Sequence, residues 1–199
     1  MIYFTVSALH AILLLQEGAA LDELIQLVNY ITKDMMEPIG YVPWGLLSGC
    51  IYLSGLSLFR RISSKRSDQN TFRRDVLIFL LITYFGVLLK LALFSREPGS
   101  RTTISLKLFE TWGTTMQAHA FFIENILMFI PFGILIPSVF AKMRGLIRCT
   151  AVAFACSVLL ETIQHLTERG FCQLDDVVTN TLGGLTGYLI YHIWKVFRK

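Results

Sequence analysis

Five apolar stretches, at 39–59, 76–95, 121–140, 146–165 and 176–194, divide the chain, and each is close to the length one helix needs to cross a bilayer. About 20 apolar residues make one span. Inside lipid every backbone N–H and C=O must be satisfied within the segment, which selects helices. The expected fold is therefore all-α, a polytopic transmembrane helix bundle with five clear spans. Composition points the same way. Hydrophobic residues make up 54% of the chain and charged residues only 16%, where a soluble domain carries about 25% charged residues. Mean hydropathy is +0.57. Disorder, which needs low hydrophobicity and high charge, is excluded.

A sixth apolar stretch, 2–15, is short for a span. It has the length of a signal-peptide core, but no Lys or Arg precedes it. It reads as an uncleaved short, tilted or re-entrant helix. Within 22–36, Leu24, Leu27, Val28 and Ile31 recur at helical spacing. That predicts either an amphipathic helix on the outer surface or a loop helix packed on the bundle. Two units are expected. Residues 1–75 hold the amino-terminal helix, this amphipathic segment, the first clear span and a basic loop; residues 76–199 hold a four-helix transmembrane core.

Basic residues set the expected orientation, because Lys and Arg collect in cytoplasmic loops. Arg60, Arg61, Lys65, Arg66, Arg73 and Arg74 follow the first clear span, Lys142 and Arg144 follow the third, and Lys195, Arg198 and Lys199 end the chain. All three regions fall on one side, which places a multi-pass protein in the cell membrane with its carboxyl terminus cytoplasmic. The net charge of +4 is explained by these loops, so no nucleic-acid partner is implied. Cys50, Cys149, Cys156 and Cys172 form no CxxC, which argues against a disulfide framework or zinc site.

Ionisable residues inside or at the ends of the spans are few: Lys90, Glu124, Arg148, Glu161, His165 and Asp176. An unpaired charge in lipid costs several kcal/mol, so such groups face a bundle interior or a cavity. Arg148 can reach the cytoplasmic interface. The others lie towards the external ends of four helices, with Arg96 and Arg169 in the adjoining loops. Glu161, Gln164 and His165 share one helix face, and Asp176 shares another with Asn180. Gly183 and Gly187 form a GxxxG below Asp176 and Asn180, which suits close approach of a neighbouring helix. Glu124 and Asn125 are about 100° apart on a helix, so both cannot point centrally. Pro131, Gly133 and Pro137 predict a bent helix beside this polar set.

The residues Phe94-Ser95-Arg96, Asn125 with Phe129, Pro131-Phe132-Gly133, Glu161 with Gln164, and Arg169, Asp175, Asp176, Asn180, Gly183 and Gly187 occur in this order. In them the stretch 84–194 resembles the VanZ-like family of small bacterial membrane proteins. The resemblance implies cell-envelope biology. The family's name member is linked to resistance to teicoplanin, a glycopeptide that acts on cell-wall precursors outside the membrane.

Three readings of the polar set stand side by side. In the first it is a ligand site at the outer face, formed by Arg96, Asn125, Glu161, Gln164, Arg169, Asp175, Asp176 and Asn180. It would take a lipid-linked cell-wall precursor, a lipid headgroup or a glycopeptide-related ligand. Arg offers a fork for phosphate or carboxylate, and amides suit peptide or sugar groups. In the second it is an enzyme acting on such a headgroup, with Glu161, His165 and Asp176 as catalytic groups in acid–base or Mg²⁺- or Mn²⁺-assisted chemistry. No metal or cofactor is assigned, and no H-E-x-x-H, G-x-S-x-G or P-loop is present. In the third it is a network of polar contacts that holds the helices together. Four acids against two arginines make a balanced structural network the less natural arrangement.

Overall fold

The computed structural model describes residues 2–63, 69–99, 103–113 and 115–198, with side chains from residue 18 onward other than 69 and 70. Lys65, Arg66 and Lys199 of the basic regions, and the side chains of the 2–15 stretch, lie outside the described residues. Six helices follow one another: α1 (Ile2–Gly40), α2 (Val42–Ile62), α3 (Gln69–Leu89), α4 (Met116–Val139), α5 (Leu146–Leu166) and α6 (Leu174–Phe197). Among the described residues, one two-residue parallel strand pairing joins β1 (Ile104–Ser105) to β2 (Cys172–Gln173).

The amino-terminal region differs from the two separate elements expected of it. α1 runs unbroken through Gly18-Ala19-Ala20 and through the 22–36 segment. Ala is the best helix former and one Gly costs only about 1 kcal/mol, so this run does not end a helix. The chain bends at Tyr41, between Pro38 and Pro43, where α2 begins. Leu27, Ile31, Asp34, Met35 and Pro38 form the half-buried stripe of α1, and that helix packs mainly on α4.

Among the described residues, the runs Gly18–Ile62, Thr71–Phe94, Met116–Val139 and Leu146–Leu166 are long and apolar enough to cross a membrane. α6 has the same 24 residues as α4 but lower apolarity. The reason lies in its packing, because α6 lies against α4 and α5 and need not present apolar side chains all round. Gly183 and Gly187 press on α4, where an added Cβ would run into the carbonyl oxygens of Ile126 and Ile130. Gly184 faces Ala153 of α5. The GxxxG is thus used within the chain. A second one escaped the sequence reading: Gly45 and Gly49 of α2 meet Thr83 and Phe79 of α3. Arg60 and Asp75 clamp the same pair of helices through two bonds of 2.6 and 3.0 Å.

The core consists of Leu81 and Leu88 of α3, Phe129, Phe132 and Ile136 of α4, Cys149, Ala153 and Leu160 of α5, and Tyr188 of α6. Pro131 and Pro137 sit inside α4. Pro137 has no N–H to offer the Gly133 carbonyl, and the Cys149 thiol lies 4.0 Å from that oxygen instead.

Candidate functional site

At one end of the bundle, α3 and α5 finish where α4 and α6 start. The last turn of α3 widens into a π-helical turn at Lys90–Phe94. Such turns interrupt the regular ladder and leave carbonyls to be satisfied from elsewhere. Here Gln164 donates to the Ala92 carbonyl at 3.1 Å and Arg169 to the Leu93 carbonyl at 2.7 Å. The Ser95 N–H and hydroxyl close on the Lys90 and Leu91 carbonyls at 2.8 and 2.7 Å. Gln164 and Arg169 therefore face backbone, and they fix the turn that delivers Arg96.

Arg96 lies within electrostatic reach of both Glu161 and Asp176. Asn125 donates its amide to Asp176 Oδ1 at 2.8 Å. Glu161 is 3% exposed and accepts the Gln173 backbone N–H at 3.1 Å. Arg96, Asn125 and Asp176 are half-buried. One turn deeper, Asn180 donates to the Ser157 hydroxyl at 2.9 Å, and among the described residues its own buried Oδ1 has no partner. Gly170 leaves the room that the guanidinium occupies: a Cβ there would lie 3.0 Å from Arg96 Nη1 and 3.1 Å from Gln164 Cβ.

Asp175 turns away from Arg96 and holds the loop before α4. It is 2% exposed. Its carboxylate accepts the Phe109 N–H at 2.6 Å, the Thr111 N–H at 2.8 Å and the Thr111 hydroxyl at 2.5 Å. Phe109 adopts φ +61°, a left-handed conformation that a bulky residue keeps only when its surroundings impose it. Cys172, in the adjoining strand, has its thiol pushed above the ordinary value by burial first, and then by the Glu161 and Asp176 carboxylates.

Other residues singled out in the sequence stand apart from the cluster. His165 shares a face with Glu161, yet among the described residues its buried Nδ1 has no hydrogen-bond partner, so the Glu161 carboxylate does not accept from that nitrogen. The Lys90 ammonium sits 5.7 and 5.5 Å from the ring centroids of Tyr41 and Trp44, away from the carboxylates. The structure also settles the choice between Glu124 and Asn125. Asn125 faces the cluster, while Glu124 lies beside Asp34 of α1, and among the described residues Glu124 Oε1 and Asp34 Oδ2 are buried without a partner.

The convergent groups are thus Arg96, Asn125, Glu161 and Asp176, backed by Asn180. One guanidinium fork beside two carboxylates and an amide suits a ligand with an anionic group and neighbouring hydroxyl or amide groups. No group of three or more His, Cys, Asp or Glu disposed to hold a metal occurs among the described residues. The sequence reading missed Ser157, Gly170 and Gln173. Ser157 and Gln173 carry no distinctive spacing, and the one available signal was the glycine directly after Arg169.

A bundle of apolar helices with polar side chains gathered at one end defines a multi-pass integral membrane protein. The chain belongs to the VanZ/LLP1 family, whose model matches residues 76–195, which contain α3 from Val76 onward and every residue of the cluster. "Protein VanZ" of Enterococcus faecium is 38% identical over 69 residues, which cover 35% of this chain and 42% of that relative. The chain thus spans less than half the length of the curated relative it matches. No solved structure matches it.

Proposed function

We propose that the cluster of Arg96, Asn125, Glu161 and Asp176 binds a polar, anion-bearing headgroup at the outer membrane face. The ligand class is a lipid-linked cell-wall precursor, an envelope lipid headgroup or a glycopeptide-related molecule, and the associated phenotype is glycopeptide resistance of the teicoplanin type. The observation that carries this reading is the meeting of one arginine, two carboxylates and an amide from the ends of four helices. An interhelical polar contact in a membrane is worth roughly 0.6–2 kcal/mol. Holding the bundle together would not require two carboxylates around one guanidinium. Asparagine and glutamine ladders would serve the purpose without charge.

Glu161→Gln and Asp176→Asn keep side-chain shape and remove the charge. Each is expected to retain folded yield in membranes while glycopeptide susceptibility returns to that of cells lacking the protein. Unchanged susceptibility with normal yield would remove the site from function. Loss of yield in both variants would leave it a structural network. Mass spectrometry of lipids and wall precursors, with and without the protein, tests the alternative of an enzyme: binding alone predicts identical profiles.

The outer placement rests on charge distribution. Arg60, Arg61, Arg73, Arg74, Lys142, Arg144, Lys195 and Arg198 flank the helix ends opposite the cluster, as a cytoplasmic side requires. A membrane-impermeant maleimide should therefore label Cys172 on intact cells, with Cys172→Ser as the control. The raised thiol value makes this labelling slow near neutrality and faster as pH rises. Labelling only after permeabilisation would place the cluster on the cytoplasmic side.

A further inference from the structure

The segment 103–113 exposes five large apolar side chains: Ile104, Leu106, Leu108, Phe109 and Trp112. Leu106 is 73% and Phe109 67% exposed. A connector in water would not gather so many apolar groups between 104 and 112. The segment lies between the end of α3 and the start of α4, two helices long and apolar enough to cross a membrane. Phe94 and Phe121, at those helix ends, are exposed as well, so the apolar surface runs from the helices onto the loop.

Backbone satisfaction points the same way. A turn can leave water only if its N–H and C=O groups are bonded within the protein. The buried Asp175 carboxylate takes the N–H groups of Phe109 and Thr111. The Thr103 carbonyl accepts from the Cys172 N–H, and Ile104 and Ser105 pair with β2. Trp112 is fastened to α4 by ring contacts with His119 at 4.2 Å and Phe122 at 5.1 Å, and it still exposes two-fifths of its surface. Trp with one apolar face and an N–H edge is the side chain that anchors at the headgroup level.

We infer that residues 103–113 form an apron inserted into the phospholipid leaflet at the cluster's end of the bundle, with Leu106, Leu108, Phe109 and Trp112 among headgroups and upper acyl chains. The occupant of this surface is the bilayer itself. Insertion stands independently of which ligand the cluster takes. It places the leaflet against the 109–111 turn that the Asp175 carboxylate holds.

The chain has three tryptophans, Trp44, Trp112 and Trp194, so Trp44→Phe with Trp194→Phe leaves Trp112 as the sole indole reporter. The full-length double variant is reconstituted in phosphatidylcholine vesicles with bromines near the top or near the end of the acyl chains, and in unbrominated vesicles with added iodide. Expected is strong quenching by the shallow bromines, several-fold weaker quenching by the deep ones, and little by iodide. Quenching by iodide as for free indole, with no effect of bromine, would overturn the inference. So would protection from both probes, which would mean that protein covers the ring. Should the double Phe variant give low yield, Trp44→Tyr with Trp194→Tyr, excited at the red edge, carries the same readout.

Discussion

Gly187→Val is expected to abolish folded protein, read as the yield of monodisperse material extracted from membranes. A Cβ at this position would collide with the Ile130 carbonyl oxygen and lie 3.0 Å from the Gly133 Cα. Both obstacles are backbone, so no rotamer change relieves the clash. α4 and α6 would have to separate, and Phe129, Phe132 and Tyr188, all buried at this contact, would lose packing. Overpacking costs typically about 1–3 kcal/mol and occasionally more, and a clash with rigid backbone belongs at the upper end. Gly55→Ala supplies the control, because nothing lies within 4 Å of its Cβ position. On an exposed helix that change removes a Gly penalty of about 0.5–1 kcal/mol and should leave yield unchanged or slightly improved. Equal yield and equal melting temperature for the two variants would show that the α4–α6 contact tolerates separation.

Arg96→Lys is expected to keep the fold and lose the phenotype. Lysine retains the positive charge that Glu161 and Asp176 face, so the cluster stays electrostatically acceptable. It lacks the planar fork that engages an anion through two parallel bonds. The loss of one charge-assisted bond corresponds to about 1.5–3 kcal/mol, or at least roughly tenfold in affinity. The measurement is folded yield together with glycopeptide susceptibility in the same cells. Wild-type susceptibility in Arg96→Lys would show that a point charge suffices and that the site recognises no bidentate anion.

Much of this organisation is legible in the sequence. The long apolar runs give the helices, and the polar residues at their ends give the cluster, because lipid admits few other places for them. The ring of carbonyl contacts around the π turn is not legible. Gln164 reads as a site residue from its spacing to Glu161, but its amide serves the Ala92 carbonyl. That demand arises only because α3 widens at Lys90–Phe94, and no local pattern in KLALF announces it. Arg169 is a similar case, bonding to Leu93. Asp175 and Asp176 are neighbours in sequence yet face opposite tasks, since adjacent helical positions point about 100° apart. One meets Asn125 and the other holds the 109–111 turn. The continuity of α1 was hidden for another reason: the apolar stretch 2–15 is short for a span, while the Gly18-Ala19-Ala20 run beyond it carries no apolar periodicity yet continues the helix.

The modest apolarity of α6 bears on how the protein is made. A segment with Asp175, Asp176, Thr179 and Asn180 in its first turns and three glycines at 183, 184 and 187 offers lipid little reason to retain it. Its place in the bundle is secured by α4 and α5, which receive its glycine faces and its asparagine. Both precede it in the chain, so the ribosome delivers the docking surface before the helix that depends on it. Docking of the final helix is then an act of assembly, settled by neighbours that precede it in the chain rather than by the segment's own apolarity.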